Sequence, residues 1–280
     1  MLAYRGEVDP AMALDDTIGS LGGTFAYPFR YGYSCVGLVE GDRLVFAFHP
    51  HQDVFVATAA ELLPLPPIEP RLATLYPLVE TALQVALDAD AVFEERVVVM
   101  GLGAVGLLVS LLLTRAGAHV LGVEPQPQRR ELAGTVGIGA VTPDEAAAAV
   151  ADRTEGRGTP LVVEASGRPE ALSLSLNLLA AEGEVLAVSW YGTKDVSLAL
   201  GGRFHRGRFR IRSSQVSTIA AAQTARWTTQ RRRQVALRLM TELPLEALAT
   251  HAYRFDEAPL AFGAVDRGEP GMIHTALWYD

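Results

Sequence analysis

With 280 residues, 49% of them hydrophobic and 20% charged, the chain can bury a large core and is long enough for two domains. Its 24 basic and 32 acidic residues leave a formal charge of −8 and a pI near 5.3, which argues against general affinity for nucleic-acid backbones or anionic membranes. One cysteine, Cys35, excludes an intramolecular disulfide and a cysteine-rich zinc lobe. One lysine, Lys194, excludes both a Tyr-x-x-x-Lys centre, because Trp190 stands four residues before it, and a Walker A loop, which needs Gly-Lys.

Arg5, Glu7, Asp9, Asp15 and Asp16 interrupt any apolar run in the first twenty residues, so no signal peptide is expected and the location reads as cytoplasmic. Residues 1–66 look β-rich and irregular, with turn signals at Gly22-Gly23, Pro28, Gly32 and Gly41-Asp42. Leu44–Phe48 and Val54–Val56 read as strands, and Leu62–Pro67 as a proline-rich exit unfit for a central strand. His49, His51 and Asp53 would share a face of a strand. Pro50 between the histidines argues against regular geometry, and no cysteine cluster completes a ligand set, so no metal site is expected. Residues 71–90 carry an apolar helical pattern through Leu72, Leu75, Leu78, Val79, Ala82, Leu83, Ala86 and Leu87.

The stretch from Arg96 to Arg115 is the most informative. Val97–Met100 is a β-branched run, Gly101, Gly103 and Gly106 spell GxGxxG, and an apolar helix follows to Gly117, a candidate C-terminal cap. Its eighteen uncharged residues approach a membrane span, but three glycines and the β-branched start make a poor continuous helix. Ala118–Val123 reads as a second strand with Glu124 at its end, where a dinucleotide fold needs an acid for the adenosine ribose hydroxyls. Gly101 would permit the turn, Gly103 close approach of the pyrophosphate, and Gly106 tight helix packing; the N–H groups of Ala104 and Val105 would face the phosphates at the helix start. Glu124 favours NAD over NADP, since a carboxylate repels a 2′-phosphate, while Arg129 and Arg130 keep NADP open.

Thr142–Glu145 reads as a helix start, Leu161–Gly167 as a fourth strand and turn, and Glu184–Trp190 as a fifth strand. Arg206, Arg208, Arg210 and Arg212 alternate with Gly207, Phe209 and Ile211, so a strand would place four guanidinium groups on one face. Cofactor pyrophosphate, an anionic substrate or an edge-strand interface are the readings, with Arg203, His205 and Arg206 the better placed for a ligand. Arg231–Arg233 read as a solvated helix face.

Several stretches resemble the medium-chain dehydrogenase/reductase superfamily: Pro28–Gly37, Gly41–Val45, Glu80-Thr81 and the GxGxxG. More narrowly, Leu21–Phe29, Phe48–Asp53 and Phe204-His-Arg206 are similar to its short, zinc-less branch around bacteriochlorophyllide a dehydrogenase. The resemblance implies an α/β chain with two domains. A β-rich, GroES-like catalytic domain, shortened at its N-terminus, would comprise residues 1–75 and 222–280, and a Rossmann doubly wound parallel sheet would occupy 76–221. It implies cofactor contacts from Thr81, Arg129, Ala165, Ser166 and the fifth-strand end at Ser189, with the Glu-x-Ser-Gly run from Glu164 to Gly167 bordering the nicotinamide ribose, and a homodimer through the last strand of the nucleotide domain. Zinc-dependent members carry Gly-His-Glu where this chain has Gly32-Tyr33-Ser34, which implies zinc-independent chemistry.

Without zinc another group must stabilise charge on the substrate oxygen and exchange its proton. Tyr33, at the ligand position, and His49 are candidates. Glu80 is a third, because an acid among Leu78, Val79 and Ala82 would be hard to ionise if buried there. The expected activity is hydride transfer between NAD(H) and a secondary alcohol/ketone, a small-molecule substrate that could carry an anionic group. A catalytically inactive NAD(P)-binding sensor or partner subunit and an NADPH quinone or enone reductase are the alternatives.

Overall fold

The computed structural model describes residues 1–279 and divides into two units, one of residues 1–80 together with the chain from Thr228 onward, the other Thr81–Trp227. The first unit begins with helix α1 (Leu2–Arg5), closed by Gly6 at φ 69°. Ala3, Val8, Leu14, Leu21 and Phe25 form a small core beside it. Strands β1 (Cys35–Val39), β2 (Arg43–Ala47) and β3 (Leu62–Pro64) make an antiparallel sheet in that order. Gly41 and Asp42, at φ 80° and 54°, turn the β1–β2 hairpin where the sequence signalled it.

Two strand expectations change here. Val54–Val56 form no strand; Val54 is 76% and Val56 100% exposed. The side chains of Gln52 and Asp53 bond the carbonyl and N–H of Val54 at 2.7 and 2.8 Å, which removes both groups from a ladder. The third strand lies instead in the proline-rich exit, where Pro64 opposite Val45 is tolerated because β3 is an edge. Helices α2 (Pro70–Ala73) and α3 (Tyr76–Asp88) follow, and α3 runs through the border at Glu80.

The second unit alternates strand and helix: β4 (Arg96–Met100), α4 (Ala104–Arg115), β5 (His119–Val123), α5 (Pro127–Thr135), β6 (Ala140–Val141), α6 (Ala146–Thr154), β7 (Thr159–Glu164), α7 (Pro169–Leu178) and β8 (Leu179–Ala187). A π-helical turn at Leu200–Phe204 and the short α8 (His205–Gly207) lead to β9 (Arg210–Ser213). The sheet is parallel throughout in the order β6-β5-β4-β7-β8-β9, the doubly wound arrangement expected. Helices cover both faces, so its central strands are apolar on both sides: Val97–Met100 and Leu161–Val163 are all buried. Gly117, at φ 94°, ends α4 in a Schellman motif, with Ala118 N–H on the Leu113 carbonyl and Gly117 N–H on that of Thr114, both 3.0 Å. β8 starts and stops earlier than the sequence suggested. It leaves α7 without a loop, and beyond Ala187 the N–H groups of Val188 and Ser189 converge on the single carbonyl of Glu164 at 2.8 and 3.2 Å, which ends the ladder.

The chain returns to the first unit through α9 (Thr229–Leu239), whose cap Thr228 accepts the Arg231 N–H at 3.1 Å. Then come α10 (Leu245–Leu248), β10 (His251–Arg254), α11 (Ala258–Arg267) and β11 (Thr275–Trp278), with β10 and β11 paired in parallel. The arginine run on α9 is not one solvated face. Arg231 is exposed, but Arg232 is 2% exposed and bonds Glu80 Oε1 through Nε and Nη2, both at 3.1 Å. Arg233 lies over the Phe48 ring. Among the described residues no helix is long and apolar enough to cross a membrane.

Candidate functional site

The glycine turn at the carboxyl end of β4 is built as its residue types demand. Gly101 has φ 86°, and a Cβ on it would lie 2.7 Å from Ser166 Cα. A Cβ on Gly106 would lie 1.9 Å from the Gly101 carbonyl oxygen, so this position lets α4 close on its own turn. Gly103 differs: its Cβ would meet only Arg129 Nη1 at 3.9 Å, leaving that side of the turn open. Gly103 caps α4 with no side-chain acceptor, and the first helical bond is Leu107 N–H to Gly103 at 2.9 Å. The N–H groups of Ala104, Val105 and Gly106 therefore stand at the positive end of an apolar helix with no intrahelical partner.

Glu124 follows β5 and is 3% exposed. Its Oε2 accepts the Leu102 N–H of the glycine turn at 2.8 Å and its Oε1 the Gln126 N–H at 3.0 Å. Arg129 Nη1 is 4.0 Å from Oε2. The two basic residues after Glu124 are not equivalent: Arg130 spends Nη1 on the carbonyls of Glu124 and Pro125, both at 2.8 Å. The sequence reading missed Gln126, whose buried Oε1 has no hydrogen-bond partner among the described residues. Its signal was only its place two residues beyond the acid. An open glycine, free helix N–H groups, a fixed carboxylate and an orphaned amide oxygen suit a dinucleotide.

At the end of β7, Ala165 N–H bonds the Met100 carbonyl at 2.9 Å. Ser166 bonds Glu164 through its N–H at 2.8 Å and its hydroxyl at 2.5 Å. Ser189, beyond β8, accepts the Gly167 N–H at 2.8 Å, tying the two loops together. Glu164, expected only as the first residue of the Glu-x-Ser-Gly run, has a partner that the sequence did not announce: the Tyr191 hydroxyl donates to its Oε2 at 2.5 Å. Burial, followed by the bond to and charge of Glu164, raises the Tyr191 phenol far above its ordinary value. The available signal was an acid closing an otherwise apolar strand, Leu161-Val-Val-Glu164. Thr81, half-buried, is the first residue of this unit.

The arginines after β8 correct the sequence reading. Strands of a parallel sheet all point one way, and the segment before β9 lies at the amino ends of the strands, opposite the glycine turn. There Arg203 donates to the carbonyls of Asn177 and Leu179 at 2.8 and 3.0 Å, closing the end of α7. Arg208 is outside β9 with φ 54°, so four guanidinium groups do not share a strand face. Arg208 pairs with Glu182, and Arg210 and Arg212 with Glu184.

The three candidates for proton handling belong to the first unit. Tyr33 sits in a row of aromatic rings, 6.0 Å from Tyr31, and burial, then Asp15, raises its phenol above the ordinary value. It can donate a hydrogen bond at neutral pH but cannot act as a base there. His49 is not on a strand. Its ring stacks on Phe55 at 3.8 Å and its Nδ1 lies 2.9 Å from the Pro50 carbonyl, which makes Nδ1 the donor and leaves Nε2 as the acceptor of the neutral ring. Gly32, at φ 137°, brings the two segments together: its Cβ would stand 3.3 Å from Pro50 Cα. Glu80 is buried as supposed, but the apolar flank was only half its surroundings, because Arg232 supplies the opposite charge. Among the described residues no three His, Cys, Asp or Glu side chains converge as metal ligands, and the Tyr33 turn offers no donor set for zinc.

A family profile described as "Zinc-binding dehydrogenase" matches residues 104–231. The chain is 28% identical over 183 residues to 5-exo-hydroxycamphor dehydrogenase of Pseudomonas putida, covering 62% of this chain and 48% of that one. It is 29% identical over 213 residues to L-threonine 3-dehydrogenase of Pyrococcus abyssi, covering 74% and 58%. The chain thus spans about half the length of these curated relatives. Among solved structures, an alcohol dehydrogenase from Thermus sp. ATN1 aligns with a TM-score of 0.65 at 24% identity, over 76% of this chain and 60% of that one. Galactitol-1-phosphate dehydrogenase from Escherichia coli aligns with a TM-score of 0.65 at 20% identity, over 82% and 70%.

Proposed function

The chain belongs to the medium-chain dehydrogenase/reductase superfamily, and from that membership we propose that it is an NAD-dependent oxidoreductase acting, without zinc, on a secondary alcohol/ketone pair. The observation that carries the cofactor reading is the carboxylate of Glu124, held by two backbone N–H groups, one of them from the glycine turn itself. A group so placed accepts the two ribose hydroxyls of NAD and repels the 2′-phosphate of NADP. Commitment of Arg130 to two carbonyls takes away one cation that could have offset that repulsion. A nicotinamide dinucleotide held by Glu124 and the start of α4 would supply a hydride acceptor for the carbinol carbon, with the hydroxyl proton passing to a base.

This chain's own residues would handle that proton and the oxygen. Tyr33, kept protonated, donates a hydrogen bond to the substrate oxygen, and Nε2 of His49, the acceptor nitrogen, receives the proton. Glu80, already paired, is assigned no part in the chemistry. Of the arginines that suggested an anionic substrate, Arg203, Arg208, Arg210 and Arg212 are engaged with carbonyls and carboxylates, so a small alcohol fits without an anionic group. Relatives act on alcohols as unlike as 5-exo-hydroxycamphor and L-threonine by their names, and the substrate here is left at the class. A homodimer through the edge strand β9, where Ile211 is 37% exposed, is part of the same reading, as is a cytoplasmic location.

Titration of the purified protein with NAD(H) and NADP(H) tests it. NAD(H) is expected to bind at least about tenfold more tightly than NADP(H), and Glu124→Ser to erase that preference by removing the charge that meets the 2′-phosphate. Equal affinity for the two cofactors in the parent would refute the assignment of Glu124. Turnover on an alcohol panel, lost in Tyr33→Phe or His49→Asn, separates an enzyme from a nucleotide-binding sensor, which would bind NAD and turn over nothing.

A further inference from the structure

Four carboxylates are buried among the described residues: Glu80, Asp88, Glu124 and Glu164. Three have an arginine close by. Arg232 bonds Glu80, Arg129 stands 4.0 Å from Glu124, and Arg212 interacts electrostatically with Asp88 while donating to its backbone carbonyl. Glu164 is fully buried and has no cationic partner among the described residues; its oxygens receive only the Ser166 N–H, the Ser166 hydroxyl and the Tyr191 hydroxyl. The N–H can only donate and both hydroxyls can do so, a set that suits a carboxylate. A buried charge met by hydrogen bonds alone is costly, and a neighbouring positive charge would offset that cost.

The topology says what could supply it. β4 is the switch point of the sheet, with β5 on one side and β7 on the other, and a dinucleotide lies across such a point at the carboxyl ends of the strands. Glu124, after β5, takes the adenosine half, and the start of α4 takes the pyrophosphate. The other half then runs toward the end of β7, where the Ser166 loop abuts Gly101 and Glu164 closes the strand. In the oxidised cofactor that half carries a positively charged pyridinium ring; in the reduced cofactor the ring is neutral, and the remainder of the molecule is the same.

We propose that Glu164 is an electrostatic selector of the cofactor's redox state, its buried carboxylate favouring NAD⁺ over NADH. The inference rests on the dinucleotide reading of the glycine turn. The field of Glu164 acts on the one part of the ligand whose charge changes between the two forms. Tyr191 is a positioning residue, holding the carboxylate in place from the β8 loop.

The test is the ratio of the dissociation constants for NAD⁺ and NADH, measured by titration without substrate. Glu164→Gln keeps the size and loses the charge; it is expected to raise Kd(NAD⁺)/Kd(NADH) about tenfold, the scale of a charge pair in a partly screened interior. Loosening of the Ser166 loop alone would weaken both forms equally, so an unchanged ratio with folded, binding-competent variant overturns the proposal. Glu164→Asp, which keeps the charge, is expected to keep the parent ratio even if both affinities fall, and a tenfold change there also overturns it. Tyr191→Phe serves if Glu164→Gln fails to fold. With one donor fewer the carboxylate is less neutralised, so the ratio is expected to fall about twofold; no change or a rise overturns the proposal. If the parent binds neither form, the dinucleotide reading fails, a result distinct from binding with an unmoved ratio.

Discussion

Gly106→Ala is expected to abolish measurable NAD(H) binding, a loss of about 100-fold or more, and to lower stability by about 1–3 kcal/mol. The new methyl would sit 1.9 Å from the Gly101 carbonyl oxygen and 3.0 Å from its carbon. Neither is the flexible end of a side chain, so the turn itself must move, and with it the N–H groups aimed at the phosphates. Gly103→Ala separates the two effects. Its backbone, at φ −72° and ψ −173°, suits alanine, and the only atom its methyl meets is Arg129 Nη1 at 3.9 Å. That variant should unfold at the parent's midpoint yet lose binding, because the methyl occupies the open side where the pyrophosphate comes close. Isothermal titration beside thermal unfolding reads both quantities. Parent-like affinity in Gly103→Ala would mean that the phosphates do not lie on this turn.

Arg232→Met is expected to destabilise the first unit by about 3–5 kcal/mol, because it strands the Glu80 carboxylate in the interior. The side chains of the pair are only 3% and 4% exposed. Arg233 Nε, 3.6 Å from Glu80 Oε1, can take up part of the charge, which points to the lower end of that range. Glu80→Met in the same protein should return most of the loss, since two well-packed methionines replace two desolvated charges. For a domain of this size the single variant should melt roughly 6–15 °C below the parent and the double variant within a few degrees of it. Additive losses in the double variant would show that the residues act independently, and the pair would then not be the element that matters.

The residues that were legible in the sequence are those whose requirement is local. Gly101, Gly106 and Gly117 announce turns because no other residue takes their φ or their space. That Glu124 lies beside the glycine turn could be expected because one helix and one strand separate the two. Long-range partners were not legible. Arg232 reads as one of three solvated arginines until Glu80, 152 residues away, is seen to share its burial. The arginines of 203–212 read as a ligand surface until the sheet shows at which strand end they fall. Glu164 was legible as the start of Glu-x-Ser-Gly, but its contact with Tyr191, 27 residues on, was not. Val54–Val56 misled for the opposite reason: the β-branched residues are there, but neighbouring polar side chains capture the backbone first.

The border at Glu80 and the return at Thr228 also set an order of events in synthesis. The nucleotide unit is one continuous stretch and can fold as it emerges, whereas the first unit is incomplete until its closing segment has been made. Glu80 must therefore wait without Arg232 through the translation of an entire intervening unit. A released chain that ends before Arg232 should already protect the nucleotide unit from protease and leave residues 1–80 open to it.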